Sequence, residues 1–230
     1  DAAGNTATAT QTLTVDTTAL VVAITSSALT NDSTPTITGT NEAGATIEVE
    51  VGGVVYDVVV DVDGTGWSAT STGELDDDIH LVFATATDSL GNTATATQAL
   101  TVDTEAPVVA ITSSDLTNDS TPTITGTTEA GATVEVTING VALAGVVVDG
   151  TGWSVTATDL LADDFYVVRA TATDAAGNIS NSDQLLEVDT TPPVVAITSS
   201  DLTNDTTPTI TGTTEDGATI QVTIDAVVHT

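Results

Sequence analysis

Apolar and polar residues alternate along this chain in short runs, and the runs are separated by turn-forming residues. The stretch 107–188 shows the pattern best. Runs at 107–112 (PVVAIT), 122–127 (PTITGT), 133–138 (TVEVTI), 141–148 (VALAGVVV), 153–158 (WSVTAT) and 166–173 (YVVRATAT) precede a last run that closes at Val188. A period of two, with abundant Val, Ile and Thr, is the signature of strands that bury one face. Between the runs lie a polar loop at 113–121, the EAGA turn at 129–132, Asn139-Gly140, DGTG at 149–152, an acidic loop at 160–164 and DAAGN at 174–178. Asn-Gly is a strong two-residue hairpin signal, because a type I′ turn needs two residues with positive φ. No useful length of the chain carries a helical period. The spacing predicts seven short strands, A to G.

The same sentence recurs three times. Residues 112–133 read TSSDLTNDSTPTITGTTEAGAT, residues 198–219 read TSSDLTNDTTPTITGTTEDGAT, and residues 25–46 read TSSALTNDSTPTITGTNEAGAT, offset by 87 and 86 residues. A repeat of that length is a whole domain. The expectation is all-β: tandem seven-stranded Greek-key β-sandwiches of immunoglobulin type, arranged end to end. Residues 1–15 read as the last turn and strand of a preceding domain, 16–102 as repeat 1, 103–188 as repeat 2, and 189–230 as part of repeat 3. The chain is expected to be a window onto a longer array.

Charge narrows the possible partners. One Arg and no Lys stand against 33 acids, a formal net charge of −32. Nucleic acid and anionic membrane surfaces both need a basic face, so neither is expected as a partner. No run approaches the roughly 20 apolar residues of a spanning helix, and no membrane insertion is expected in this segment. Cys is absent, which removes disulfides, thiol catalysis and Cys-based zinc sites.

Strand direction decides where the acids fall. If strand A runs down, the BC, DE and FG loops share the end where the chain enters, and the AB, CD and EF loops share the other. For repeat 2 the entry end gathers Glu129, Asp149, Asp174, Asn178 and the incoming linker Asp103-Thr104-Glu105. Asn31, Asp32 and Asp76 to Asp78 of repeat 1 lie at the opposite end of their own domain. The next linker brings Asp189 and Glu215, with Asp119, Asp163 and Asp164 from the domain before. The preceding one brings Asp16, Glu42, Asp88 and Asn92. Hard oxygen donors without Cys, and almost without His, are the chemistry of calcium, and crowded carboxylates repel one another without a cation.

The VDTTPP linker (188–193), the TPTITGTTEAGATV segment and the DAAGN turn resemble the bacterial immunoglobulin-like repeats of giant secreted adhesins, including the repeats-in-toxin adhesins. The resemblance covers the whole chain. It implies extender domains that hold an adhesive tip away from the cell, with calcium stiffening the linkers. Carried over by position, it implies ligands at the linker Asp (Asp16, Asp103, Asp189), the BC Glu (Glu42, Glu129, Glu215) and the FG Asp (Asp88, Asp174), with Asn92 and Asn178 beside them. Ala19-Leu20 departs from the Pro-containing linkers Ala106-Pro107 and Pro192-Pro193, which is expected to soften the first.

Several residues also have plainer readings. The DAAGN turns could be simple hairpin turns, and Asp76 to Asp78 read as a solvated loop. Asp61-Val-Asp63-Gly64 starts like an EF-hand loop but lacks the later ligands and reads as a tight turn. Trp67 and Trp153 read as core packing, with glycan stacking as the alternative. Tyr166 is expected in a tyrosine corner, His80 to take the same place in repeat 1, and Arg169 to point outward and pair with an acid. Asn-Asp-Ser and Asn-Asp-Thr matches to the glycosylation sequon read as AB turns. No enzyme motif is present, and the chain is not expected to be an enzyme. The function expected is an extracellular, calcium-stiffened extender of a bacterial surface adhesin, with neighbouring domains of the same chain as partners. The alternatives are a self-assembling fibre of identical chains, and a carbohydrate-binding or spacer module of a secreted enzyme.

Overall fold

The computed structural model describes residues 1–13, 15 and 19–229. By contacts the chain divides into two compact units. One comprises 1–109 with 128–133 and 171–180, the other 110–127 with 134–170 and 181–230. Every regular element among the described residues is a strand.

Repeat 1 contains β1 (Val22–Ile24), β2 (Leu29–Thr30), β3 (Thr36–Asn41), β4 (Thr46–Val51), β5 (Val54–Tyr56), β6 (Val58–Val60), β7 (Gly66–Thr70), β8 (Ile79–Thr87) and β9 (Thr93–Val102). They form a four-stranded sheet, β1-β3-β7-β6, and a five-stranded sheet, β2-β9-β8-β4-β5. The core between them holds Ile37, Val49, Val51, Tyr56, Trp67, Ala69, Val82, Ala84, Leu100 and Val102. These are alternate residues of their strands, as burial of one face requires.

Repeat 2 repeats the plan with β10 (Val109–Ile111), β11 (Leu116–Thr117), β12 (Thr123–Thr128), β13 (Thr133–Ile138), β14 (Val141–Ala142), β15 (Val147–Asp149), β16 (Gly152–Thr156), β17 (Asp164–Thr173) and β18 (Ile179–Val188). Its sheets are β10-β12-β16-β15 and β11-β18-β17-β13-β14. The all-β sandwich expected from the sequence is present, with strands C and G ending where the pattern placed their ends.

Strands A and D differ from expectation, for one shared reason. Each leaves one sheet and joins the other partway along. Strand A splits into β1 and β2, or β10 and β11. The second piece runs parallel to the last strand, with Leu29 opposite Thr101 and Leu116 opposite Glu187. Strand D, read as one run over 141–148, breaks between β14 and β15. Leu143 N–H donates to Val136 O at 2.8 Å, and Gly145 takes φ 81°, a conformation that favours glycine. Nine strand segments therefore build each seven-position sandwich.

Both tryptophans are core residues, 2% and 3% exposed, which removes the glycan-stacking reading. Each indole lies over a bare glycine, its cross-strand partner: Trp67 over Gly39 and Trp153 over Gly126. Their Nε1–H groups donate to Thr40 O at 3.3 Å and Thr127 O at 3.1 Å. The corner expected at strand F is present as well. Tyr166 OH donates to Ala162 O at 3.0 Å, and His80 Nε2 lies 2.9 Å from Asp76 O. Arg169 faces outward and binds both oxygens of Asp183, each at 2.7 Å. With both side chains about half exposed, that pair adds little to stability.

Toward its two ends the chain shows less regular structure among the described residues. At the start, Asp1 forms the expected turn, accepting from Ala3 N at 2.9 Å and Asn5 N at 3.1 Å, but no strand follows it among the described residues. Repeat 3 shows β19 (Val195–Ile197), β20 (Gly212–Thr214), β21 (Val222–Ile224) and β22 (Val227–His229). Ile210 is 39% exposed, whereas its counterparts Ile37 and Ile124 are 1% exposed. Among the described residues, no strands cover its apolar face as they do in repeats 1 and 2.

Candidate linker and metal site

The candidate residues of repeat 2 sit on three segments. The EAGA turn is closed by Ala132 N–H donating to Glu129 O at 3.2 Å, with Gly131 at φ 90°. Glu129 N–H donates to Val108 O at 3.0 Å, which anchors that turn to the start of the domain. The FG turn is closed by Asp174 itself. Its Oδ1 accepts from Gly177 N at 2.7 Å and Asn178 N at 2.8 Å, and its Oδ2 accepts from Asn178 Nδ2 at 2.8 Å. The third segment is the linker, where Asp103 N–H donates to Thr30 O at 3.0 Å.

Asn178 joins two of these segments. Its amide nitrogen also donates to Asp103 O at 2.8 Å, so one NH₂ group bridges a linker carbonyl and the Asp174 carboxylate. The structure therefore brings Asp103, Asp174 and Asn178 together. Glu129 lies on the adjacent turn, and its carboxylate has no part in this hydrogen-bond set.

Repeat 1 has the same turn. Asp88 Oδ1 accepts from Leu90 N at 2.9 Å and Asn92 N at 2.8 Å, and Oδ2 from Asn92 Nδ2 at 2.6 Å. Glu42 occupies the matching turn, with Ala45 N–H donating to its carbonyl at 3.2 Å. Asp16 lies outside the described residues. In the third repeat, Asp189 N–H donates to Thr117 O at 2.9 Å and Glu215 N–H to Val194 O at 3.3 Å.

These hydrogen bonds set the acidity of the turn aspartates. Asn92 is the main cause that holds the Asp88 carboxyl below the usual carboxylate range, with backbone N–H groups adding to it. For Asp174 the largest single influence is desolvation, which raises its pKa. Donation from the Asn178 side chain and from the N–H groups of Asn178, Gly177 and Ala176 outweighs it, and the net shift is downward.

The donors are of the hard oxygen type that calcium takes. Their present arrangement does not converge on an ion: among the described residues, no three Asp, Glu or His side chains gather where a metal could be held. Both oxygens of Asp174 face its own turn, and Asn178 offers the linker a donor.

Asp77, read from the sequence as part of a solvated loop, and Asp163, placed by the sequence beside the next linker, both hold linker residues. Asp77 Oδ2 accepts from Thr104 N at 3.1 Å, and Thr104 Oγ1 donates to both carboxylate oxygens, at 2.9 and 3.1 Å. Asp163 Oδ1 accepts from Thr190 N at 2.9 Å and Thr190 Oγ1 at 2.6 Å, and its Oδ2 from Thr191 Oγ1 at 2.6 Å. The Thr190 hydroxyl, then that of Thr191, holds the Asp163 carboxyl below its ordinary range. A signal was available: the Asp and its Thr lie 27 residues apart in both repeats.

The bacterial Ig-like domain model matches residues 23–104 and 110–190, and the chain belongs to that family as two tandem copies. Solved structures it is similar to include a tetra-tandem repeat in the extending region of a large adhesion protein, 24% identical over 87% of this chain with a TM-score of 0.37. The chain spans 57% of the length of that structure. Another is a structure of a 1.5-MDa bacterial ice-binding adhesin, 28% identical over 80% of this chain and 71% of that one, with a TM-score of 0.38. Immunoglobulin domains 1–5 of Sidekick-1 are 17% identical over 80% of this chain and 42% of that one, with a TM-score of 0.38. No curated protein matches the chain. Among the described residues, no helix is long and apolar enough to cross a membrane.

Proposed function

We propose that this chain is an extender segment of a bacterial cell-surface adhesin, a rod of tandem domains that holds a distal adhesive region away from the cell. The observation that carries the reading is the linker between two bacterial Ig-like domains. Of its three residues, Asp103-Thr104-Glu105, the first two are held by hydrogen bonds: Asp103 N–H to Thr30 O, Asn178 Nδ2 to Asp103 O, and Thr104 to Asp77. A tether built for flexibility would leave those groups to solvent and favour Gly and Ser. The net charge of −32 suits an exposed extracellular surface that stays soluble and apart from its neighbours.

The finer part of the proposal is calcium. Its ligands would come from Asp103, Glu129, Asp174 and Asn178, from Asp189 and Glu215 at the next linker, and from Asp16, Glu42, Asp88 and Asn92 at the preceding one. Support comes from the bridge that Asn178 makes. One NH₂ group satisfies two oxygens, Asp103 O and Asp174 Oδ2, and a cation could satisfy the same two if the amide turned to offer Oδ1. Extracellular modules bind calcium at roughly 0.1–1 mM, so the rod would stiffen outside the cell. Small-angle scattering of the chain in 5 mM calcium and in chelator tests this. A longer maximum dimension in calcium is expected, and an identical one in both would remove calcium from the proposal.

A further inference from the structure

Each linker leaves its domain past an acidic EF loop, and in both described cases one aspartate of that loop turns onto the linker. We infer that Asp77 and Asp163 are metal-independent clasps that order the first linker residues on the domain they leave, and that the third linker residue grades the clasp.

The hydrogen bonds carry the inference. A Thr offers a backbone N–H and a hydroxyl one side chain apart, and a carboxylate can take both. Asp77 and Asp163 each do this with the linker Thr, Thr104 and Thr190. The loops hold the carboxylates in place. Asp78, beside Asp77, accepts Val102 N–H at its carbonyl at 3.0 Å and Ile79 N–H at its Oδ1 at 2.7 Å. Asp164, beside Asp163, accepts Phe165 N–H at its Oδ1 at 2.7 Å.

The two clasps differ at one position. The linker 189–191 reads DTT, and Thr191 gives its hydroxyl to the free oxygen of Asp163. The linker 103–105 reads DTE, and Glu105 has no hydroxyl to give. In its place the single hydroxyl of Thr104 straddles both oxygens of Asp77. The Asp163 clasp therefore takes in two linker residues and the Asp77 clasp one. In both arrangements linker donors occupy the two oxygens of the carboxylate.

This inference rests on the extender reading only for its use. Backbone NMR relaxation of the whole chain in chelator tests it, which keeps its outcome separate from the calcium comparison. Rigid backbone gives order parameters of about 0.85 and flexible backbone less than about 0.6. Thr104, Thr190 and Thr191 are expected near the rigid value in the absence of calcium. Asp77→Ala should drop Thr104 alone, and Asp163→Ala should drop Thr190 and Thr191 alone. Thr104→Ala, which alters no loop and keeps the backbone N–H bond to Asp77, should lower residue 104 in the same direction but by less than Asp77→Ala. Glu105→Thr should raise residue 105, and Thr191→Glu should lower residue 191. Flexible linkers in the unaltered chain, or order parameters that ignore both Ala variants, would overturn the clasp. Unchanged values in Glu105→Thr and Thr191→Glu would overturn its grading.

Discussion

Gly39 sits in the middle of β3, where a glycine is usually a cost, and its replacement by Ala is the sharpest test of how this sandwich is packed. A methyl group there would meet the backbone carbonyl oxygen of Ala23 on one side and the Cζ2 and Cε2 atoms of the Trp67 ring on the other, both well inside contact distance. Neither obstacle is the end of a flexible side chain. Ala23 belongs to the paired strand β1, and the indole is buried with its Nε1 tied to Thr40 O. Overpacking a core costs about 1–3 kcal/mol, and two rigid obstacles place Gly39→Ala near the top, about 3 kcal/mol. For a domain of this size each kcal/mol moves the melting midpoint by about 4–8 °C, so the repeat 1 transition should fall by roughly 12–24 °C. Differential scanning calorimetry can follow this, with Gly126→Ala as the matching change in repeat 2, where Ala110 O and Trp153 close the same space. Trp67→Leu alone should destabilise through lost burial. Combined with Gly39→Ala it should cost less than the sum of the two, because the smaller side chain frees the space the methyl needs. A Gly39→Ala midpoint within about 2 °C of the unaltered protein would refute the argument.

Other changes act on turns. Asn139 holds φ 48°, and its Oδ1 accepts Val167 N at 2.8 Å. Asn139→Ala should lower repeat 2 stability by about 1–2 kcal/mol from left-handed strain alone, and Asn139→Gly by less, read from urea unfolding midpoints at constant slope. The FG turns should respond to acid. Their aspartates have folded pKa values below the ordinary one, so their contribution is complete above the unfolded value of about 4 and is lost as pH falls through the lower folded values. The Asn92 and Asn178 side-chain amide resonances should therefore hold steady above about pH 5 and shift only below about pH 4. Movement at neutral pH would contradict the hydrogen-bond assignment.

Much of the sandwich could be read from the chain because its strands carry their own burial pattern. Residues 133–138 alternate in TVEVTI, and Val136 and Ile138 are the buried ones. The short edge pieces could not be read this way. Leu116-Thr117 lies in a polar stretch and joins its neighbour through backbone groups, which leave no pattern in side chains. Gly145 was the only mark of the break in strand D. Connectivity placed the candidate acids at one end of the domain, but not what each oxygen bonds to. Asp174, a candidate ligand by position, accepts hydrogen bonds from its own turn, which only the structure shows. Asp77 looked like one charge in a run and proves to hold Thr104. The pairing of Gly39 with Trp67 was present as a glycine inside a strand pattern, a recognised sign of close approach, and needed the strand register to be seen.

The switch of strand A between sheets has a mechanical consequence. Its second piece lies parallel to the last strand of the same domain. Thr101 N–H donates to Ala28 O at 2.8 Å and Asp103 N–H to Thr30 O at 3.0 Å, and in repeat 2 Glu187 N–H donates to Asp115 O at 2.7 Å and Asp189 N–H to Thr117 O at 2.9 Å. Tension along the chain pulls two parallel neighbours in opposite directions. Their hydrogen bonds then lie across the load and share it together, whereas a hairpin opened from its end gives them up singly. Under a pull on the two ends of a repeat, the load thus falls on the short parallel pairing at the domain's exit, next to the aspartates that accept hydrogen bonds from the linker.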